Sequence, residues 1–396
     1  MSGLNEVTRT RLWVFGIILG VIILIHGLVI VLVAKPGGRS AEPAPGAEQA
    51  EPAVPDPKAA VPVRASGAVS APAVTVPAPQ PVQAAGCLRK PITAAWFGKP
   101  FVFNSAVRGD LPKMPHGTLA RSGILVDMNT RKVLWCKDEL KPVPIASMAK
   151  MMTLLVALEN VEKNPAWTLD MPIQISRAAS RAAKDGIIWL DARETLPLRD
   201  LMKAVAIKSA NDAAYQVAEF AAGGDAEAFV AQMNRRAAGL KMPATRFVNP
   251  HGLPNRDGTH SMSSALGMVI LGERLLEYPD VMEWVGTQRT FIERPLVKGG
   301  KTELHNTNHL IVPRYPGVEG MKTGYTRAAK YCLTFSAVRN GRRLMGCVTG
   351  FPTGKERDIF ARRLLDWGYL RVAEIEAGKT APPRASAVTV SVRKQR

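Results

Sequence analysis

The chain has 396 residues, 46% hydrophobic and only 6% aromatic, with 30 prolines concentrated near the front and a formal charge of +19. The basic residues are spread along the chain with no aromatic–basic interleaving, which excludes the usual nucleic-acid-binding modules. The charge reads as a solvated basic surface, suited at most to an anionic envelope polymer.

Residues 1–11 form a short tail. Residues 12–34 (LWVFGIILGVIILIHGLVIVLVA) are almost wholly apolar, with His26 the single ionisable residue. As a helix they span roughly 34 Å at about 1.5 Å per residue, enough to cross a bilayer. The run exceeds a secretory hydrophobic region, and bulky Leu32 stands at −3 of the candidate cleavage point after Ala34, so an uncleaved anchor is expected. Flanking charges, Arg9 and Arg11 against Lys35 and Arg39, nearly balance. The shortness of the tail favours its lying inside, with the remainder outside. Residues 35–86 are rich in Pro, Ala and Val, lack helical or strand periodicity, and carry too little large apolar surface to offset ordering entropy. They read as a polyproline-like spacer reaching roughly 150 Å at about 3.1 Å per residue.

Residues 87–370 have the composition of one globular α/β domain. RSGILVDM and KVLWCK flank Asn129-Thr130-Arg131 and predict a β-hairpin. Pro142 and Pro144 then lead into a helix, SMAKMMTLLVALENVEK, with Ser147 at its N-terminal edge. Further helices are expected over 198–207, 212–222, 225–240 and 263–277. Strands follow around Lys322 and over 331–338 and 343–349, the last two joined by a two-residue Asn340-Gly341 turn. A helix over 356–367 precedes a patternless tail, 371–396. Strands at both ends with helices between predict an antiparallel sheet built from the terminal segments, flanking helices and a helical lobe.

The four cysteines have no metal-type spacing. The Asn-Gly turn would set Cys332 opposite Thr349 and Cys347 opposite Thr334. The two thiols are then diagonal neighbours, a poor disulfide geometry, and read as buried small apolar residues. Sequence leaves a Cys87–Cys136 bridge open. Of the histidines, His305 and His309 in HNTNH have i, i+4 spacing without the glutamate of a zinc-protease helix. No metal site is expected.

Three strings carry chemistry: Ser147-Met-Ala-Lys150, Ser209-Ala-Asn211 and Lys322-Thr323-Gly324. Taken singly, each has an ordinary explanation as a helix cap, a solvated lysine or an edge strand. Together they suit nucleophilic catalysis. Ser147 and Lys150 share a helix face at i, i+3, so a neutral lysine there can take the serine proton. Burial, the positive end of the helix dipole and a second cation, Lys322, would each lower the lysine pKa. Ser209 can relay a proton to a leaving amine, and the Asn211 amide can both donate to and accept from a peptide. Glycine at a strand edge lets an extended peptide add as a further strand.

In this order the strings resemble the low-molecular-mass penicillin-binding proteins, the serine D-Ala-D-Ala carboxypeptidases of peptidoglycan metabolism. The resemblance covers about residues 120–369 and extends to AIKSANDAAYQVAEFAAG, TRFVNPHGLP, LHNTNHLI, GVEGMKTGYT and RRLLDWGY. It implies a β-lactamase/penicillin-binding-protein-like transpeptidase fold. Ser147 would be the acylated nucleophile and Lys150 its base. Ser209 and Asn211 would form a second catalytic pair, and Lys322 would polarise the site. Thr323, Gly324 and Tyr325 would bind substrate, the Tyr325 and Ser147 backbone N–H groups forming an oxyanion hole. The family's carboxylate-orienting arginine maps to Arg357, with Arg362 and Arg363 as close competitors.

The implied substrate is a stem peptide ending in D-Ala-D-Ala, with β-lactams as inhibitors and no cofactor. The implied location is the bacterial inner membrane, with the catalytic domain periplasmic. A D,D-endopeptidase on the same scaffold is the close alternative. A β-lactamase is disfavoured, since no ExxLN-like string lies between Asn211 and Lys322; a non-catalytic wall-binding protein would not need every motif position. Two departures stand out. Lys330 occupies a usual glycine position, and Tyr325 replaces a frequent histidine.

Overall fold

The computed structural model describes residues 88–378, apart from 112–113, 184 and 311–314. The expected membrane segment at 12–34, the spacer, Cys87 with its suggested bridge to Cys136, and residues 379–396 lie outside the described residues.

Chain order gives β1 (Val107–Arg108), β2 (Ser122–Asp127), β3 (Val133–Lys137) and β4 (Val143–Pro144), then helix α1 (Lys150–Lys163). The middle contributes β5 (Pro172–Gln174), β6 (Thr195–Pro197), α2 (Leu198–Lys203), α3 (Asn211–Ala221), α4 (Ala226–Gly239), β7 (Met262–Ser263), α5 (Ala265–Leu275) and α6 (Pro279–Gly286). There follow β8 (Arg289–Glu293), β9 (Lys301–His305), β10 (Val318–Thr326), β11 (Lys330–Arg339), β12 (Arg342–Phe351) and α7 (Gly354–Glu376).

The main sheet has six strands in the order β1-β3-β2-β12-β11-β10. All pairs are antiparallel except β1 with β3. Segments from the two ends of the domain thus meet along β2 and β12, as the element order predicts. Between β11 and β12, Asn340 (φ 49°) and Gly341 (φ 73°) both take the left-handed conformation that a two-residue hairpin turn requires. From there Thr334 opposes Cys347 as expected. The expected Cys332–Thr349 pairing does not form: the register shifts between Tyr331 and Leu333, where Gly350 (φ 81°) adds one residue to β12 as a bulge. Cys332 and Cys347 are free, fully buried thiols, and burial pushes both pKa values up, that of Cys332 to about 11.

Alternation along the strands divides the core in two. Ile124, Val126, Met345 and Cys347 face the helical lobe, while Leu125, Leu333, Phe335, Leu344 and Val348 face α7 through Phe360, Leu364 and Leu365. Helix α7 runs nine residues past its predicted end at Trp367, to Glu376, so residues 371–376 belong to it and not to a patternless tail. Gly368 directly follows the predicted end. In the fold it lets the helix approach the sheet, for a Cβ there would lie 2.5 Å from Leu125 Cδ2. On the other side α1 is buried on every face from Lys150 to Leu158, so its first residue begins life inside the protein.

Candidate active site

The site forms where the start of α1 meets the edge strand β10 and the turn before α3. Residues Ala146–Ala149 make a 3₁₀ turn leading into α1, and Ala146 is held at φ 49°. Neither this turn nor α1 uses a side-chain cap, so the Ser147 hydroxyl is left for Lys150, whose Nζ lies 3.0 Å from Ser147 Oγ. Facing the same turn is the Asn249–Gly252 corner. Asn249 Oδ1 accepts from Gly252 N at 2.6 Å, Thr153 Oγ1 donates to Pro250 O at 2.6 Å, and the His251 carbonyl accepts from Lys150 Nζ at 2.7 Å. Gly252 (φ 83°) comes so close that a Cβ would stand 2.0 Å from Ala146 O.

Helix α2 continues into a π-helical turn, Ala204–Lys208, and Ser209 follows in the left-handed conformation at φ 65°. Such wide turns and strained serines are a feature of functional sites. Ala210, without a side-chain bond, caps α3, so Ser209 and Asn211 are not spent on capping. Asn211 Nδ2 donates to Asp185 O at 2.6 Å, which fixes the amide and turns Oδ1 toward Lys150 Nζ, also at 2.6 Å. The neighbouring Asp212 carboxylate accepts from the Ile188 and Leu190 N–H groups at 3.1 Å. Arg294, fully buried against Glu194, donates to Ile188 O and Trp189 O at 2.8 and 2.9 Å. These bonds hold the 185–191 loop as one wall of the cleft.

Strand β10 is the sheet edge, and Gly324 lets it lie against the Ala146–Ala149 turn: a Cβ there would be 2.6 Å from Ile145 O. Lys322 is 1% exposed and donates to Thr323 O at 3.2 Å. Burial, then the charge of Arg357, brings its pKa down to about 7. Lys150 is lowered well below the ordinary amine value, by burial first and by Lys322 second, against an opposing pull from Asp212. Burial likewise holds His251 neutral, its pKa down to about 3.

Lys150 Nζ thus stands within hydrogen-bond distance of three oxygens, those of Ser147, Asn211 and His251. Once deprotonated, the amine keeps two N–H bonds for the Asn211 and His251 carbonyl oxygens and can turn its lone pair to the Ser147 hydroxyl.

Ser147, Ser209, Asn211, Thr323, Gly324, Tyr325 and Arg357 line one cleft of about 370 Å³. Lys150 and Lys322 lie beneath it, both fully buried. Arg357 is the one of the three candidate arginines in that lining; Arg363 is exposed, and Arg362 reaches the His309 carbonyl and the Tyr315 ring. The Tyr325 ring is 53% exposed and stacks on Tyr331 at 4.3 Å. Sequence reading missed Asp185, Gly186, Thr307, His309 and Tyr331 as cleft residues, and Asp358 behind Arg357. The Asp-Gly pair at 185–186 was a visible loop signal. HNTNH belongs to a block of the family resemblance but gave no role to His309; its two histidines diverge, His305 to Glu303 and His309 to Asp358. Lys330 stands at φ 58° in the β10–β11 turn, which explains a glycine preference there.

A family model described as Peptidase_S11, D-alanyl-D-alanine carboxypeptidase, matches residues 112–353. Among curated proteins, the D-alanyl-D-alanine carboxypeptidase DacF of Bacillus subtilis is 38% identical over 250 residues, which are 63% of this chain and 62% of that one. The chain thus spans less than two thirds of DacF. The D-alanyl-D-alanine endopeptidase of Escherichia coli is 29% identical over 69% of this chain and 82% of its own length. The ampicillin-bound penicillin-binding protein D2 of Listeria monocytogenes superposes with a TM-score of 0.55 at 28% identity, covering 63% of this chain and 97% of that one.

Proposed function

This chain belongs to the D-alanyl-D-alanine carboxypeptidase family, and from that premise we propose that it removes the terminal D-Ala from peptidoglycan stem peptides through a Ser147 acyl-enzyme. Ser147 Oγ passes its proton to Lys150 and attacks the carbonyl of the penultimate D-Ala. The Ser147 and Tyr325 backbone N–H groups stabilise the oxyanion. Lys150 returns that proton through Ser209 to the departing D-Ala amine, Asn211 holds the peptide, the Lys322 ammonium polarises the site, and Arg357 takes the terminal carboxylate with Thr323 beside it. Water then hydrolyses the ester and frees Ser147. The observation that carries this reading is the desolvated Lys150 amine, within hydrogen-bond distance of the Asn211 and His251 carbonyls and 3.0 Å from the Ser147 hydroxyl. β-Lactams, which present an amide and a carboxylate to the same groups, are its inhibitors; the ampicillin-bound relative supports this.

The apolar run at 12–34 anchors the enzyme in the inner membrane with the catalytic domain outside, and residues 35–86 let it reach a polymer layer away from the bilayer. Among the described residues no helix is long and apolar enough to cross a membrane. The test is D-Ala release from a pentapeptide ending in D-Ala-D-Ala, abolished in Ser147→Ala. Wild-type protein that releases none defeats the reading. The endopeptidase relative supports a second reading, cleavage of D-Ala cross-bridges on the same scaffold. Product analysis on cross-linked against uncross-linked peptide separates the two.

A further inference from the structure

Arg357 and Asp358 are adjacent on α7, where consecutive side chains point about 100° apart. They meet nonetheless. Arg357 Nε and Nη2 both donate to Asp358 Oδ1, at 2.9 and 2.7 Å, and Nη1 donates to Cys332 O at 3.2 Å. Of the five guanidinium N–H bonds, these three leave one on each terminal nitrogen, the pair that a carboxylate can take in bidentate fashion. The second oxygen of Asp358 looks elsewhere. Oδ2 accepts from His309 Nδ1 at 3.1 Å, on a loop 49 residues earlier in the chain. That loop is clipped twice more: Thr307 Oγ1 lies 2.6 Å from Thr323 Oγ1, and the His309 carbonyl accepts from Arg362 at 2.5 Å. Asp358 is 7% exposed, while the His309 side chain is 65% exposed at the cleft.

We propose that Asp358 is a positioning residue that sets selectivity for a terminal carboxylate: one oxygen aims Arg357, and the other ties the 306–310 loop to the same helix through His309. This rests on the carboxypeptidase reading above. The Asp358 charge offsets that of Arg357, so recognition depends on the direction of the remaining N–H bonds more than on a bare positive field. Two effects therefore oppose each other on removing Asp358. Arg357 gains uncompensated charge but loses the bonds that orient it. Arg357 is buried, so without Asp358 its N–H bonds turn to other acceptors, and the lost orientation outweighs the gained charge.

The test compares full-length wild type with Asp358→Ala, Asp358→Asn and His309→Ala on a D-Ala-D-Ala peptide and on its C-terminal amide. In Asp358→Ala the acid-over-amide ratio of kcat/KM falls about tenfold, through KM for the acid, as expected for losing oriented, charge-assisted bonds. Asp358→Asn, which keeps an oxygen acceptor for Arg357, recovers most of that ratio. His309→Ala lowers it by about threefold, since only the loop is released. A ratio that is unchanged or raised in Asp358→Ala, or acid and amide losing activity in parallel, overturns the proposal while the carboxypeptidase reading stands. Wild-type enzyme that releases no D-Ala at all defeats that reading, and the inference with it.

Discussion

Two amines decide whether this site can work, and burial sets both. In the proposed mechanism Lys150 acts as the base: its position at the head of a buried helix removes water from the ammonium, and the Lys322 charge lowers its pKa further. The productive state pairs neutral Lys150 with charged Lys322, and the two titrate together. Acylation needs Lys150 deprotonated and Lys322 protonated, so on the alkaline side it declines as Lys322, at about 7, loses its proton. Because Arg357 helps depress Lys322, removing that cation raises the Lys322 pKa. Arg357→Gln should therefore move the alkaline limb of the pH profile for acylation by penicillin to higher pH. A limb that stays in place or moves down would contradict the assignment. Lys330 offers a separate test, of stability alone. Its left-handed backbone costs about 1 kcal/mol for a residue with a Cβ, so Lys330→Gly should raise the unfolding free energy by roughly that amount in a denaturant titration.

Elements, in turn, place these residues through close backbone approaches. The Asn249–Gly252 corner supports the nucleophile turn with no room for a side chain. Gly252→Ala should push the Ala146–Ser147 peptide away, lowering penicillin acylation at least tenfold and stability by about 2–4 kcal/mol, read by acylation kinetics and thermal unfolding. Legibility in sequence follows the range of the interactions. Ser147 with Lys150, Ser209 with Asn211, and the Asn340-Gly341 turn are local patterns, so spacing and conformational preference expose them. The Gly350 bulge and the extra turns of α7 past Gly368 depend on Arg121 and Leu125, which arrive from over two hundred residues away. No pattern around either glycine announces them. Asp358 and His309 were hidden for the same reason: each is ordinary in its own segment, and only folding joins them.

Among the described residues the first and last strands join one sheet, which brings the edge strand β10 beside a helix start 168 residues before it. That closure turns three weak strings into one cleft. Residues at the sheet edge, the α1 turn and the α3 turn line it together, with both lysines sealed below. The spacer belongs to this scale too: if it provides reach, halving residues 35–86 lowers D-Ala release from intact wall in cells while leaving release from soluble peptide unchanged. Equal activity in both assays would make its length irrelevant. The most direct measurement is mass spectrometry of the folded protein after brief exposure to a labelled penicillin. The account predicts a single covalent adduct on the peptide containing Ser147, absent in Ser147→Ala. No adduct on folded wild type, or one that persists in Ser147→Ala, would contradict it.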